Sequence, residues 1–243
     1  MKKIVVVLMV CVLGMMSCKR DYLNVKNGSY VRLYHDETHQ IDAEAESIIT
    51  YSSNDNYHAE VNAQGLVTAN YVGKANVTLT NENGDVANVE IDVIPVSNMF
   101  PEPNISLGES ENSILSKYGV PDFVDEDYYF YTEYSAKAPY LLVMFENEKV
   151  VAYSVLVDTD SSDIEELVTY VDERYKYIES DEDYLYYINA LSISEATMAV
   201  GVGFTIFDDD VYAMLAYISA NAYKSTSGLD EMMTIFKKYI SSL

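Results

Sequence analysis

The chain has 243 residues and a formal charge of −24, from 39 Asp and Glu against 15 Lys and Arg. So acidic a surface repels phosphate backbones and anionic headgroups, which argues against nucleic acid as a ligand. The two cysteines, Cys11 and Cys18, both lie at the start, so the remainder holds neither a disulfide framework nor a Cys-ligated zinc site.

The chain opens with Lys2-Lys3 and an apolar run from Ile4 to Met16, too short to span a bilayer as a mature helix. This pattern predicts a secretory signal peptide over residues 1–17. Ser17-Cys18, closing the run, resembles a bacterial lipobox. The resemblance implies that the mature protein begins at Cys18, carries lipid there, and sits in the cell envelope, at the outer membrane or cell surface. Its charge is then −26, from 13 Lys and Arg against 39 Asp and Glu. Residues 18–28 read as a polar tether.

Residues 29–95 show short alternating runs broken by turn residues, with no sustained helical period. Strands are expected near 30–34, 39–43, 47–53, 57–61, 65–69, 73–80 and 85–94. Val77 and Leu79, then Val89, Ile91 and Val93, each place one apolar row toward a core. Asn83-Gly84 suits a two-residue hairpin turn. Seven strands at this spacing predict an all-β sandwich. The segments Tyr51-Ser52-Ser53-Asn54-Asp55, Ala59-Glu60-Val61, Gly65-Leu66-Val67-Thr68-Ala69 and Val72-Gly73-Lys74-Ala75-Asn76-Val77-Thr78 are similar to the bacterial immunoglobulin-like group 2 family. That resemblance, over residues 25–95, implies a spacer or adhesive module of a surface protein and brings no catalytic residues. Tyr51 stands where the family commonly has an aromatic, often Trp.

Residues 96–104, with Pro101 and Pro103, read as a stiffened linker. The rhythm then changes. Over 105–243 the pattern predicts an α+β domain of two repeated units, 105–157 and 162–219, each a helix followed by three antiparallel strands. The repeat rests on Asp125-Glu126-Asp127-Tyr128-Tyr129-Phe130-Tyr131 matching Asp181-Glu182-Asp183-Tyr184-Leu185-Tyr186-Tyr187 at an offset of 56 residues. Helices are expected at 110–117 and from Asp163 to about Tyr177, and a closing helix at 229–240, all on one side of the sheet. Tyr118-Gly119-Val120-Pro121 and the hairpin ending at Phe145 also resemble β-lactamase inhibitor proteins and small outer-membrane assembly lipoproteins.

His35, His39 and His58 all precede residue 96, so no Ser-His-Asp or Cys-His nucleophile can form within 105–243. Asp125–Asp127, Asp181–Asp183 and Asp208–Asp210 read as solvated turns rather than as a glycosidase pair or an EF-hand. The sequence implies no catalytic residue, no cofactor and no metal. Tyr128, Phe130, Tyr134, Tyr184 and Tyr186 form a candidate aromatic binding face; the competing reading is that they fill the core. Two functions follow. The first is a non-enzymatic lipoprotein presenting an acidic recognition domain to a protein partner. The alternative is a glycan-binding lipoprotein using the tyrosine face.

Overall fold

A computed structural model describes residues 22–125, 127–159, 163–207, 210–222 and 227–240. The signal segment and Cys18 lie outside these residues. The chain begins with nine strands: β1 (Asn24–Val25), β2 (Tyr30–Leu33), β3 (Thr38–Gln40), β4 (Ala43–Glu44), β5 (Ile49–Ser53), β6 (Ala59–Val61), β7 (Leu66–Ala69), β8 (Gly73–Asn81) and β9 (Val86–Val93). They form a sheet in the order β2-β9-β8-β5, a second in the order β3-β7-β6, and a short β1-β4 ribbon. Strand β2 runs parallel to β9; the other pairs are antiparallel. Alternation decides the packing: Ala75, Val77 and Leu79 of β8 and Val89 and Ile91 of β9 are buried, meeting Val67 and Ala69 of the facing sheet. Each fully buried Val, Leu or Ile contributes about 1.5–3 kcal/mol relative to exposure.

Two motifs of this half find a physical role. Gly65 has φ +79°, and a Cβ there would stand 2.8 Å from the Tyr51 ring, so the aromatic and the glycine need each other. The β8–β9 turn, by contrast, is longer than an Asn-Gly hairpin. Its last paired residues are Thr80 and Val86. The Asn81 side chain accepts from the amides of Asn83 and Asp85, at 3.1 and 2.8 Å, and so holds the intervening loop.

The later chain gives α1 (Glu111–Tyr118), β10 (Phe123–Asp125), β11 (Tyr128–Tyr131), β12 (Tyr140–Glu146), β13 (Lys149–Asp158), α2 (Asp163–Asp172), β14 (Lys176–Ser180), β15 (Tyr184–Ile188), β16 (Met198–Phe207), β17 (Asp210–Ser219) and α3 (Ser227–Ile240). One antiparallel sheet of eight strands dominates, in the order β10-β11-β12-β13-β17-β16-β15-β14. Each of the first two helices is followed by four strands, not three. The two meanders join along their last strands, with Ser154 opposite Ala216 and Val155 opposite Leu215.

The helices do not share one side of the sheet. Ile114 of α1 and Leu167, Tyr170 and Val171 of α2 pack with Tyr129, Leu141, Val155, Val202 and Tyr217 on the first face. Leu229, Met232, Met233 and Ile235 of α3 join Leu142, Leu156, Met214 and Ala216 on the second. Gly201 makes this docking possible, since a Cβ there would meet Leu229 at 2.8 Å. Helix α2 also ends sooner than its spacing suggests. Past Asp172 the chain turns into an edge strand, and Tyr177 pairs with Tyr187.

Candidate functional site

The site grows from the residues that follow α2. Glu173 and Arg174 are almost wholly buried, at 2% and 8% exposure. A buried carboxylate must recover the hydrogen bonds that water would give. Glu173 does so by accepting from the Val96 amide at 2.7 Å, the Ser97 amide at 3.1 Å and Arg174 Nη1 at 2.5 Å. Arg174 in turn donates to the carbonyls of Tyr170 and Ser97, at 3.0 and 3.1 Å, and its guanidinium lies 3.8 Å from the centre of the Tyr170 ring. Ser97 Oγ donates to Glu166 of α2 at 3.1 Å.

The residues expected as a linker are therefore a packed strap. Ser97, Met99, Phe100 and Ile105 are buried, and Phe100 stacks on Tyr170 with ring centres 4.3 Å apart. Tyr134 donates to the Pro101 carbonyl at 2.7 Å, and Tyr175 donates to Glu102. The Ig-like half joins the same junction. The Val72 amide donates to the Glu173 carbonyl at 2.8 Å, and Tyr57 Oη donates to the Arg174 carbonyl at 2.6 Å. Tyr57 is held there by stacking on Tyr71, with centres 4.6 Å apart.

Beside this junction lies a cleft made of two hollows of about 380 and 400 Å³, which share Glu102, Asn189 and Met198. Asp55, Tyr57 and His58 form the Ig-side wall, and Tyr153 and Thr197 close the far end. Burial raises the Glu102 carboxyl above its ordinary value, and the Arg174 guanidinium, with Nε at 3.9 Å, pulls it partly back. Its side chain still shows 44% of its surface to water, so the cleft walls enclose it without sealing it. Burial likewise drives the Tyr57 hydroxyl upward.

The polar groups of the cleft are engaged within the protein. His58 Nδ1 lies 3.2 Å from the Tyr71 carbonyl and Nε2 lies 3.7 Å from Asp55, so protein groups flank both ring nitrogens. Asn189 is occupied by Thr197 and Met198, whose amides it accepts at 3.1 and 2.9 Å. His35 contacts the Asn70 carbonyl and His39 contacts Asn27 at 3.0 Å, two separate surroundings. Among the described residues no three His, Cys, Asp or Glu side chains stand together to hold a metal ion.

The structure does not bring the candidate aromatic face together as a surface. Tyr128, Phe130, Tyr184 and Tyr186 are buried on the second face of the sheet, in the cluster that includes α3. Tyr134 packs instead on the first face, beside Tyr118. The physical reason is that helices pack on each face over the stretch where these rings lie, so the rings enter the two cores instead of forming a surface. Two of the acidic turns serve these rings, while residues 208 and 209 of the third lie outside the described residues. Asp125 accepts from the Tyr128 hydroxyl at 3.1 Å, and Asp181 accepts from the Tyr186 hydroxyl at 2.8 Å and from the amides of Asp183 and Tyr184. The backbone and hydroxyl donors hold the Asp181 carboxyl below its usual range. Sequence reasoning missed Glu173 and Arg174. The available signal was an Arg in a stretch otherwise poor in cations, set where an amphipathic helix stops.

Residues 23–91 match the bacterial Ig-like domain (group 2). That domain accounts for the first two sheets. No curated protein matches the chain. Among solved structures, an intimin mutant of EHEC O157:H7 shares 13% identity over 43% of this chain and 62% of its own, at a TM-score of 0.27. An extracellular protein containing a SCP domain from Bacillus anthracis shares 12% over 54% of this chain and 51% of its own, at 0.26. Protocadherin gamma B7 cadherin domains 1–4 share 11% over 82% of this chain and 50% of their own, at 0.28. The chain thus spans between half and two thirds of these chains' lengths. None of these likenesses supports the resemblance of the later residues to β-lactamase inhibitor proteins.

Two outcomes follow from the junction. Arg174→Ala strips the buried Glu173 carboxylate of its cation and is expected to destabilise the protein by about 3–5 kcal/mol. Calorimetry should then resolve separate melting of the two halves; an unchanged single transition contradicts the latch. At Glu102 the folded-state carboxyl binds its proton more tightly than the unfolded chain does. The associated stability is present below the unfolded carboxylate pKa and is lost as pH rises through the folded value. Glu102→Gln should therefore melt higher than the parent at pH 7 and no higher at about pH 3.5, where both carboxyls are protonated. A lower melting point at pH 7 would contradict this assignment.

Proposed function

We propose that the protein is a non-enzymatic cell-envelope lipoprotein, cleaved after residue 17 and lipidated on Cys18, at the outer membrane or cell surface. Its Ig-like half presents the large acidic sheet domain to a protein partner in adhesion or binding. The observation that carries this reading is the buried junction at Glu173 and Arg174. It turns an Ig-like module and a recognition domain into one stiff arm, which suits display away from a membrane better than a free hinge does. The match of residues 23–91 to the bacterial Ig-like domain supports a surface setting. No described helix is long and apolar enough to cross a membrane, so the lipid would make the attachment.

Charge supplies the partner's chemistry. Residues 96–243 contain 27 Asp and Glu against 8 Lys and Arg, a charge of −19, and this favours a cationic protein surface and disfavours nucleic acid. No cofactor is required. The two meanders, with hairpin turns at Asp125–Tyr128 and Asp181–Tyr184, support descent from a duplicated helix-and-strand unit. The glycan alternative has lost its surface, because four of its five rings are buried.

Expressed with radiolabelled palmitate, the full chain is expected to take up label and fractionate with membranes; Cys18→Ala should abolish both. Equal labelling of the variant would remove the lipoprotein reading. For recognition, the mature chain should associate with a polylysine-coated surface at a rate falling about tenfold between 50 and 300 mM salt. A salt-insensitive rate, or measurable turnover of a substrate, argues against the assignment.

A further inference from the structure

Helix α2 is flanked on one side only. Glu166 and Glu173 engage the strap, and Phe100 stacks on Tyr170. Ile164 and Val168 each stand two residues from Glu166, about 160° round the helix from it. Both are exposed, at 38% and 44%. The sheet continues past this bare flank. Phe204 and Ile206 alternate in phase with the core residues Val200 and Val202, so they share the face on which α2 lies. Ile206 pairs with Val211, and Tyr177 leans edge-on against Tyr187 of the same face. Phe204, Ile206, Val211 and Tyr177 are 47%, 67%, 38% and 49% exposed. The six residues thus leave an open apolar strip between the flank of α2 and the β14 edge, too concentrated to be the scatter of a solvated surface.

Along its helical border stand the exposed carboxylates Glu165 and Asp172 of α2. Of the nearby cations, Lys176 is turned to the Leu191 carbonyl, Lys137 is paired with Asp163, and Lys237 lines a hollow with Phe204 on the side of α3. We propose that this strip docks a cationic amphipathic segment of a partner protein, its apolar side chains on Val168, Phe204 and Ile206 and its Lys or Arg side chains on the bordering acids. This site deepens the acidic-recognition reading above and rests on it. A second copy of the chain fits poorly, because two bodies each carrying −26 repel. A helix-in-groove or strip contact of this kind needs an apolar stripe at helical spacing with a charged surround.

The test uses the full mature chain and three synthetic peptides of about 18 residues: Leu and Lys with Leu on one helical face, the same composition scrambled, and Leu with Glu. Calorimetric titration should show binding of the first, at least tenfold weaker binding of the scrambled peptide, and none of the Glu peptide. Val168→Ser with Ile206→Ser, both exposed positions, should weaken the first at least tenfold with an unchanged melting curve. Amide shifts on the unaltered chain should cluster at residues 164–168 and 204–211, a readout independent of any variant. Equal binding of both Lys peptides, indifferent to the double variant, overturns the strip and leaves charge recognition standing. No binding of either at low salt overturns both. Self-association abolished by the double variant assigns the strip to a second copy and overturns the proposal.

Discussion

The arrangement of the molecule depends on one buried ion pair. Removing Glu173 and Arg174 from water costs several kcal/mol per ion, and their mutual attraction offsets this only when the remaining donors and acceptors are also satisfied. Here they are: two amides and a guanidinium serve the carboxylate, and two carbonyls and a tyrosine ring serve the guanidinium. Such a network adds little net stability over an apolar contact, but it tolerates only one geometry. That geometry fixes where the strap runs, which flank of α2 it covers, and how Tyr57, whose hydroxyl also lies 3.2 Å from the Ile188 carbonyl, meets the end of β15. The cleft at Glu102 is a consequence of the same fixation, since its two walls come from the two halves.

The tyrosines answer a second constraint. Eight strands at about 4.8 Å spacing make a sheet nearly 40 Å wide, whereas a helix covers only about 10–12 Å. Three helices cannot shield both faces. Rings spread over the sheet do part of the work, with Tyr153 stacked on Tyr217 on the first face and Phe130 on Tyr140 on the second. Tyr rather than Phe suits positions near an edge, because the hydroxyl can end in water or on an acid, as Tyr128 and Tyr186 do. The hairpin acids and the rings are thus parts of one device, which explains why the same acidic-aromatic string occurs twice.

Much of this was legible in the sequence, for reasons that differ by element. The Ig-like half declared itself because each strand has one wet face and one dry face, so alternation is visible in β8 and β9. In each unit of the sheet domain the pattern predicted three strands, and the edge strands β10 and β14 were not among them. They pair on one side only, and Tyr175 stands four residues after Val171, so a helical period runs on past the real end of α2. The second-face burial was half visible: β11 is aromatic on both faces, which no one-sided sheet needs. The latch was invisible, because its carboxylate and amides are 76 and 77 residues apart and an adjacent Glu-Arg pair normally lies in water.

The excess of acid acquires a position from the same reasoning. Lys26, Lys74, Lys117 and Lys137 each lie 2.5–2.9 Å from a carboxylate, so these cations are spent locally, in pairs worth little on an exposed surface. The carboxylates left over are concentrated on the sheet domain, whose width outruns its helices. Where coverage ends, exposed apolar strand residues come to lie beside a helix whose outer positions carry carboxylates. Net charge this far from zero opposes self-association through repulsion even where such a strip is exposed. The same repulsion would admit a partner of opposite sign, so the cationic partner proposed above and the incomplete shielding of a wide sheet would share one physical origin.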